Sequence, residues 1–185
     1  MTNPSFTLAR TRDRRVTFIG IVGFAVALAA ASQVAIPIPG TAVPMTLQPL
    51  AVVLAGLWLG PVAGASSMVL YILAGASGLP VWAPMGAPGI ARLLGPTGGY
   101  IFAYPVAAFI AGWVANRLPG YAGRTGAAML GILAIYIGGI AQLTIITGSL
   151  ESAVLLGSVP FLALDVVKAF VAGALSPRRQ PRTQD

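Results

Sequence analysis

The stretch "VTFIGIVGFAVALAAASQVAI", Val16 to Ile36, runs for 21 residues without a charge. At a rise of about 1.5 Å per residue a helix of that length crosses a hydrocarbon core about 30 Å thick. The uncharged region also continues past Ile36: no Asp, Glu, Lys or Arg occurs from Val16 to Ala91. Over the 185 residues, 57% are hydrophobic and 8% charged, with a mean hydropathy of +0.86. A soluble domain carries about 25% charged residues, and no core is large enough to absorb that deficit. The outer surface therefore meets lipid. "RTRDRR" at 10–15 followed by an apolar run has the outline of a signal peptide, but the run is too long for an h-region and further spans follow it. It reads as the first helix of the mature chain.

Breakers divide the rest. "PIPGTAVPMTLQP" at 37–49 carries four prolines and reads as an ordered loop. A second helix fits Leu50–Leu59, Gly60 and Pro61 mark a tight turn, and a third span covers Val62–Gly78. "GLPVWAPMGAPGIARLLGP", Gly78–Pro96, is long for a connection, so it is either functional or packed on the bundle. A fourth span follows at Thr97–Asn116, a fifth at Thr125–Thr147 and a sixth at Phe161–Leu175. The expectation is an all-α polytopic membrane protein of six transmembrane helices, with no internal repeat. One transmembrane domain (16–176) lies between a basic N-terminal segment (1–15) and a basic tail (177–185).

Arg10, Arg12, Arg14, Arg15, Arg117, Arg124, Arg178, Arg179 and Arg182 fall on one side of that arrangement, and Arg92 alone on the other. By the positive-inside rule both termini are cytoplasmic and the loops near 37–48, 79–96 and 148–159 face outward; the expected location is the cytoplasmic (inner) membrane. The net charge of +7 sits at segment ends and forms no stripe, so nucleic acid is not the partner. The absence of Cys and His removes thiolate and imidazole chemistry and the usual transition-metal ligands, and no P-loop is present. No nucleophile with a base is apparent, so an enzyme is the weakest reading, and ATP-driven work would come from a partner.

Within the sixth span, Asp165 and the chain's only lysine, Lys168, lie three residues apart on one helical face. An ionisable group in a span costs roughly 2.5–3.5 kcal/mol on insertion scales unless it is paired or faces a wet cavity. The pair is either a self-neutralising packing contact or part of a polar site open outward. If the two charges cancel, Arg92 leaves a net positive charge on the outer face, suited to an anionic ligand. Thr46, Gln48, Trp82 and the segment from Thr97 to Tyr100 supply further recognition groups. "GPTGGY", 95–100, offers backbone N–H groups near a helix start, although close packing explains such glycines equally well. In the first span Ala25 with Ala29, and Ala27 with Ala31, form small-xxx-small pairs that let another helix approach closely. From the residues alone, the competing classes are a ligand-capture subunit, a proton-coupled secondary carrier of a small acid with Asp165 as coupling acid, and an assembly protein whose buried pair only fixes helix register.

The ordered series "IPIPGTAVPMTLQPLAVVLAGLWLG" (36–60), "YILAGASGLPVWA" (71–83), "LLGPTGGYIFAY" (93–104) and "VPFLALDVVKA" (159–169) resembles the BioY family, the biotin-binding S components of energy-coupling factor (ECF) transporters. The resemblance covers nearly the whole chain, from the first span through Leu175. It implies a six-helix S-component bundle that captures biotin outside and delivers it when an ECF transmembrane coupling subunit and ABC-type ATPases act on it, with no cofactor. It also implies docking on the coupling subunit through an A-x-x-x-A pattern in the first helix. For the ligand it implies Asp165 accepting from a ureido N–H, Lys168 donating to the ureido carbonyl, Arg92 facing the carboxylate, and the apolar body against Trp82 or Tyr100. The reverse assignment, Lys168 on the carboxylate, is equally open. Trp82 stands where the family more usually has phenylalanine, and "PMGAPGIARLL" (84–94) is less glycine-rich than the family pattern.

Overall fold

A computed structural model describes residues 4–177, with side chains described from Arg14 onward. The basic tail, including Arg178, Arg179 and Arg182, and the side chains of Arg10 and Arg12 lie outside the described residues. The chain folds into α1 (Pro4–Gln33), β1 (Ala35–Ile36), β2 (Met45–Thr46), α2 (Gln48–Leu59), α3 (Pro61–Ala76), α4 (Ala91–Leu94), α5 (Gly98–Ala115), α6 (Gly120–Thr147), α7 (Leu150–Gly157) and α8 (Leu162–Leu175).

Among the described residues three helical segments are long and apolar enough to cross a membrane: Arg14–Gln33 of α1, α5 and α6. A fourth is available if α7 and α8, bent by 55° at the break between them, are taken as one span. The 12 residues of α2 and 16 of α3 rise about 18 and 24 Å, short of a hydrocarbon core of about 30 Å. The exterior is that of a lipid-facing protein, with Ile145, Val62 and Phe18 each more than 60% exposed while Leu28, Val52, Val53 and Met68 are sealed inside.

α5 is the central element, packed against α2, α3 and α6, and α8 lies across α6 and α2. The turn between α2 and α3 depends on Gly60, whose φ of 87° is one that L side chains avoid. Pro61 then occupies the first turn of α3, where its missing N–H leaves nothing unsatisfied.

Two features depart from the sequence expectation, and a third falls within the alternatives it left open. α1 stops at Gln33 instead of Ile36, because Ala35 and Ile36 leave the helix to pair antiparallel with Thr46 and Met45, so the proline-rich loop is a short ribbon in an otherwise helical protein. The segment "GSLESAVLLGSVP" contains α7, capped by Ser149, whose side-chain oxygen accepts from the Ser152 N–H at 3.2 Å. The long connection from Gly78 to Pro96 is packed onto the bundle and carries the one-turn α4.

Candidate functional site

Asp165 and Lys168 sit in the first half of α8, one turn apart on its inner face, and both are buried. The Lys168 ammonium lies 2.6 Å from Asp165 Oδ1 and 2.7 Å from the main-chain carbonyl of Thr46. Asp165 Oδ2 accepts from the Tyr136 hydroxyl of α6. Each charge is thus neutralised and hydrogen-bonded, the condition under which buried ions are tolerated.

These groups form one side of a cavity whose walls also include Gln48, Tyr71, Trp82, Arg92, Tyr100 and Tyr104. The free space enclosed by the walls is about 60 Å³, and its mouth opens to solvent. All six residues assigned to substrate binding from sequence, Asp165, Lys168, Arg92, Gln48, Trp82 and Tyr100, border this one cavity. Four segments far apart in the chain bring them together: the start of α2, the 81–92 connection, the start of α5, and α8.

Arg92 is only 6% exposed. Its Nε donates to Ala87 O at 3.0 Å, and its two terminal nitrogens donate to the carbonyls of Met85 and Ala83. One side chain therefore ties the 83–87 turn. Among the described residues no carboxylate pairs with it, so its positive charge is offset only by carbonyl dipoles. Burial draws its pKa below the ordinary arginine value, while the neighbouring Tyr71 acts in the opposite direction. With three of five N–H groups engaged, two remain for a ligand.

The aromatic walls are locked in place. Trp82 donates its indole N–H to Gly89 O at 3.0 Å and meets the Tyr71 ring edge-on at 5.0 Å between centroids. The indole also lies against Gly75, where an added Cβ would stand 2.1 Å from its ring, so the residue opposite Trp82 must lack a side chain. Tyr100 donates to Gly157 O at 2.7 Å, fastening the end of α7 over the cavity. Gln48 Nε2 donates to the Tyr71 hydroxyl at 2.9 Å, which donates in turn to Val81 O at 3.1 Å.

The sequence reading did not assign Tyr71, Tyr104 or Tyr136 to the site. A signal for them existed: of the chain's five tyrosines, Tyr71, Tyr100, Tyr104 and Tyr136 all border the cavity, and only Tyr121 does not. A phenol in the middle of an apolar helix needs a partner for its hydroxyl, which places it beside polar groups. The first-helix alanines divide between the two sides of α1: Ala25 is buried in the core, Ala29 and Ala31 are half-buried against it, and Ala27 is exposed.

An outward-lying apolar exterior and an internal, largely apolar cavity that carries a buried ion pair and a buried arginine define a membrane protein with a candidate ligand site at its core. Residues 3–185 match the BioY family, and the chain belongs to that family. It is 43% identical over 141 residues to a protein of Pyrococcus horikoshii named "Probable biotin transporter BioY", covering 76% of this chain and 83% of that one. It is 36% identical over 143 residues to "Biotin transporter BioY" of Thermotoga maritima, covering 77% and 84%. The fold matches a crystal structure described as the S-component for biotin from an ECF-type ABC transporter, with a TM-score of 0.81 and 24% identity over 94% of this chain and 91% of that one.

Proposed function

We propose that the protein is the substrate-capture subunit for biotin uptake, binding biotin in the cavity between α2, α5, α6, α8 and the 81–92 connection. The observation that carries this reading is that one cavity combines a self-neutralised Asp165–Lys168 pair, a buried Arg92 with no acidic partner among the described residues, and aromatic walls. Biotin has the matching parts: a ureido ring with two donors and one acceptor, an apolar bicycle, and a carboxylate. Asp165 accepts from a ureido N–H and Lys168 donates to the ureido carbonyl, while Arg92 faces the carboxylate with its two remaining N–H groups. Trp82 and Tyr100 flank the apolar body.

In this reading the short helices α2, α3 and α8 complete a six-span bundle in the cytoplasmic (inner) membrane, with both termini cytoplasmic and the 37–48, 79–96 and 148–159 segments, the last of which carries α7, outside. Release inward depends on an ECF transmembrane coupling subunit and ABC-type ATPases, which supply the nucleotide chemistry this chain lacks. The coupling subunit docks on the exposed side of α1 through Ala27. A proton-coupled carrier is the weaker reading, because the Asp165 carboxylate is already held by Lys168 and Tyr136.

Equilibrium binding in detergent, with no ATPase present, tests the assignment. Biotin binds the isolated chain, other vitamins do not, and biotin methyl ester binds more weakly than biotin. Equal affinity for acid and ester removes Arg92 from the carboxylate, and no biotin binding at all rejects the reading.

A further inference from the structure

Ser32 and Gln33 close the last turn of α1, and neither borders the cavity. Ser32 is fully buried. Its Oγ lies 2.7 Å from Ala29 O within its own helix and 2.7 Å from Val81 O, 49 residues away, with a single proton to share. A serine near a helix end is satisfied by the carbonyl one turn back, so the second contact is not needed to offset its burial. Gln33 adds to it, since its Nε2 donates to Trp82 O at 3.1 Å and to Ser32 Oγ at 2.9 Å.

The two residues therefore grip consecutive carbonyls, those of Val81 and Trp82. Val81 O also receives the Tyr71 hydroxyl, which is itself held by Gln48. One polar chain runs from Gln48 inside the cavity, through Tyr71, to the end of α1, with the main chain that carries the Trp82 indole at its centre. The same end of α1 reaches the opposite wall. Two residues past Gln33, Ala35 pairs with Thr46, whose carbonyl takes the Lys168 ammonium.

We propose that Ser32 and Gln33 are positioning residues of the ligand site: the end of α1 fixes the Trp82 wall through the Val81 and Trp82 carbonyls and, through the β1–β2 ribbon, sets its spacing from the Thr46–Lys168 wall. The identity of the ligand rests on the function proposed above; the positioning of Trp82 does not. The hydrogen bonds act on the main chain, so their loss moves the indole without removing any group that touches ligand.

The test uses the full chain in detergent with Trp58→Phe and Trp113→Phe, which leaves Trp82 as the only indole. Gln33→Glu keeps the shape but puts an acceptor where the amide donor faced the Trp82 carbonyl, at 3.1 Å, and the Ala29 carbonyl, at 3.3 Å. Ser32→Ala removes the hydroxyl with little change in volume, and Gln33→Lys keeps a donor. In ligand-free protein, Gln33→Glu and Ser32→Ala shift Trp82 emission to longer wavelength and raise its quenching by acrylamide, whereas Gln33→Lys matches the parent. Biotin affinity falls about tenfold in the first two variants and is retained in the third. Unchanged emission and quenching in both Gln33→Glu and Ser32→Ala overturn the proposal, as does a displaced indole with unaltered affinity. Failure of the parent itself to bind biotin rejects the proposed function, while the ligand-free emission still decides the positioning.

Discussion

Tyr136 donates its hydroxyl proton to Asp165 Oδ2, the carboxylate oxygen that Lys168 leaves free. The two donors come from different helices, α6 and α8, so the plane of the carboxylate is set by a contact between elements as well as by the pair within α8. Tyr136→Phe removes one charge-assisted hydrogen bond and leaves the ring in place. Biotin binding is expected to weaken about tenfold, roughly 1.4 kcal/mol, as read by titration calorimetry. Unchanged affinity would show that the orientation of Asp165 does not matter to the ligand.

The Asp165–Lys168 pair separates binding from stability. Asp165→Asn leaves the Lys168 ammonium buried with neutral acceptors alone, the new amide oxygen and the Thr46 carbonyl, and no opposite charge, which is expected to cost about 3 kcal/mol of stability. Replacing both, Asp165→Asn with Lys168→Met, removes the stranded charge. The double variant should recover much of the lost melting temperature and still fail to bind biotin. If binding returns together with stability, the pair serves packing alone.

Trp82 owes its position to a missing side chain. At Gly75 an added Cβ would lie 2.1 to 2.5 Å from three atoms of the indole, so Gly75→Ala must displace either the ring or α3. Overpacking of this kind costs about 1–3 kcal/mol. The expected result is a lower melting temperature together with weaker biotin binding and altered Trp82 emission. In a Trp82→Ala background, already destabilised by loss of the buried indole, Gly75→Ala should add little further cost, which tells the clash from a general defect of α3.

The apolar spans were legible because lipid leaves a strong mark on composition: α5, expected at Thr97–Asn116, lies at Gly98–Ala115, and α8, expected to open at Phe161, opens at Leu162. The charged residues that border the cavity were visible for the same reason, since Asp165, Lys168 and Arg92 stand out against an uncharged background. What escaped were short or relational features. The β1–β2 ribbon joins two residues to two across a proline-rich loop, too few for a period-two signal. α7 is eight residues long between Gly and Ser breakers. The engagement of Arg92 with the Ala83, Met85 and Ala87 carbonyls depends on how its own loop turns back on it, and no local pattern encodes that. The tyrosines were visible as residues but not as a group, because α3, α5 and α6 bring Tyr71, Tyr104 and Tyr136 together only on folding.

The first-helix alanines give a prediction that separates assembly from capture. Ala25 is 8% exposed and belongs to the core, whereas Ala27 faces outward two residues on. A leucine at 25 has to displace core neighbours and is expected to cost about 1–3 kcal/mol, seen as a lower melting temperature. A leucine at 27 projects into space the bundle does not use, so Ala27→Leu should leave the melting temperature and biotin affinity of the isolated chain as they are. If α1 docks a coupling subunit through close approach of small residues, the same substitution holds the partner helix off, and co-purification with that subunit and ATP-dependent uptake should be lost. Ala27→Gly, which keeps the surface small, should preserve both. Uptake that persists in Ala27→Leu would move the docking surface to another face of the bundle.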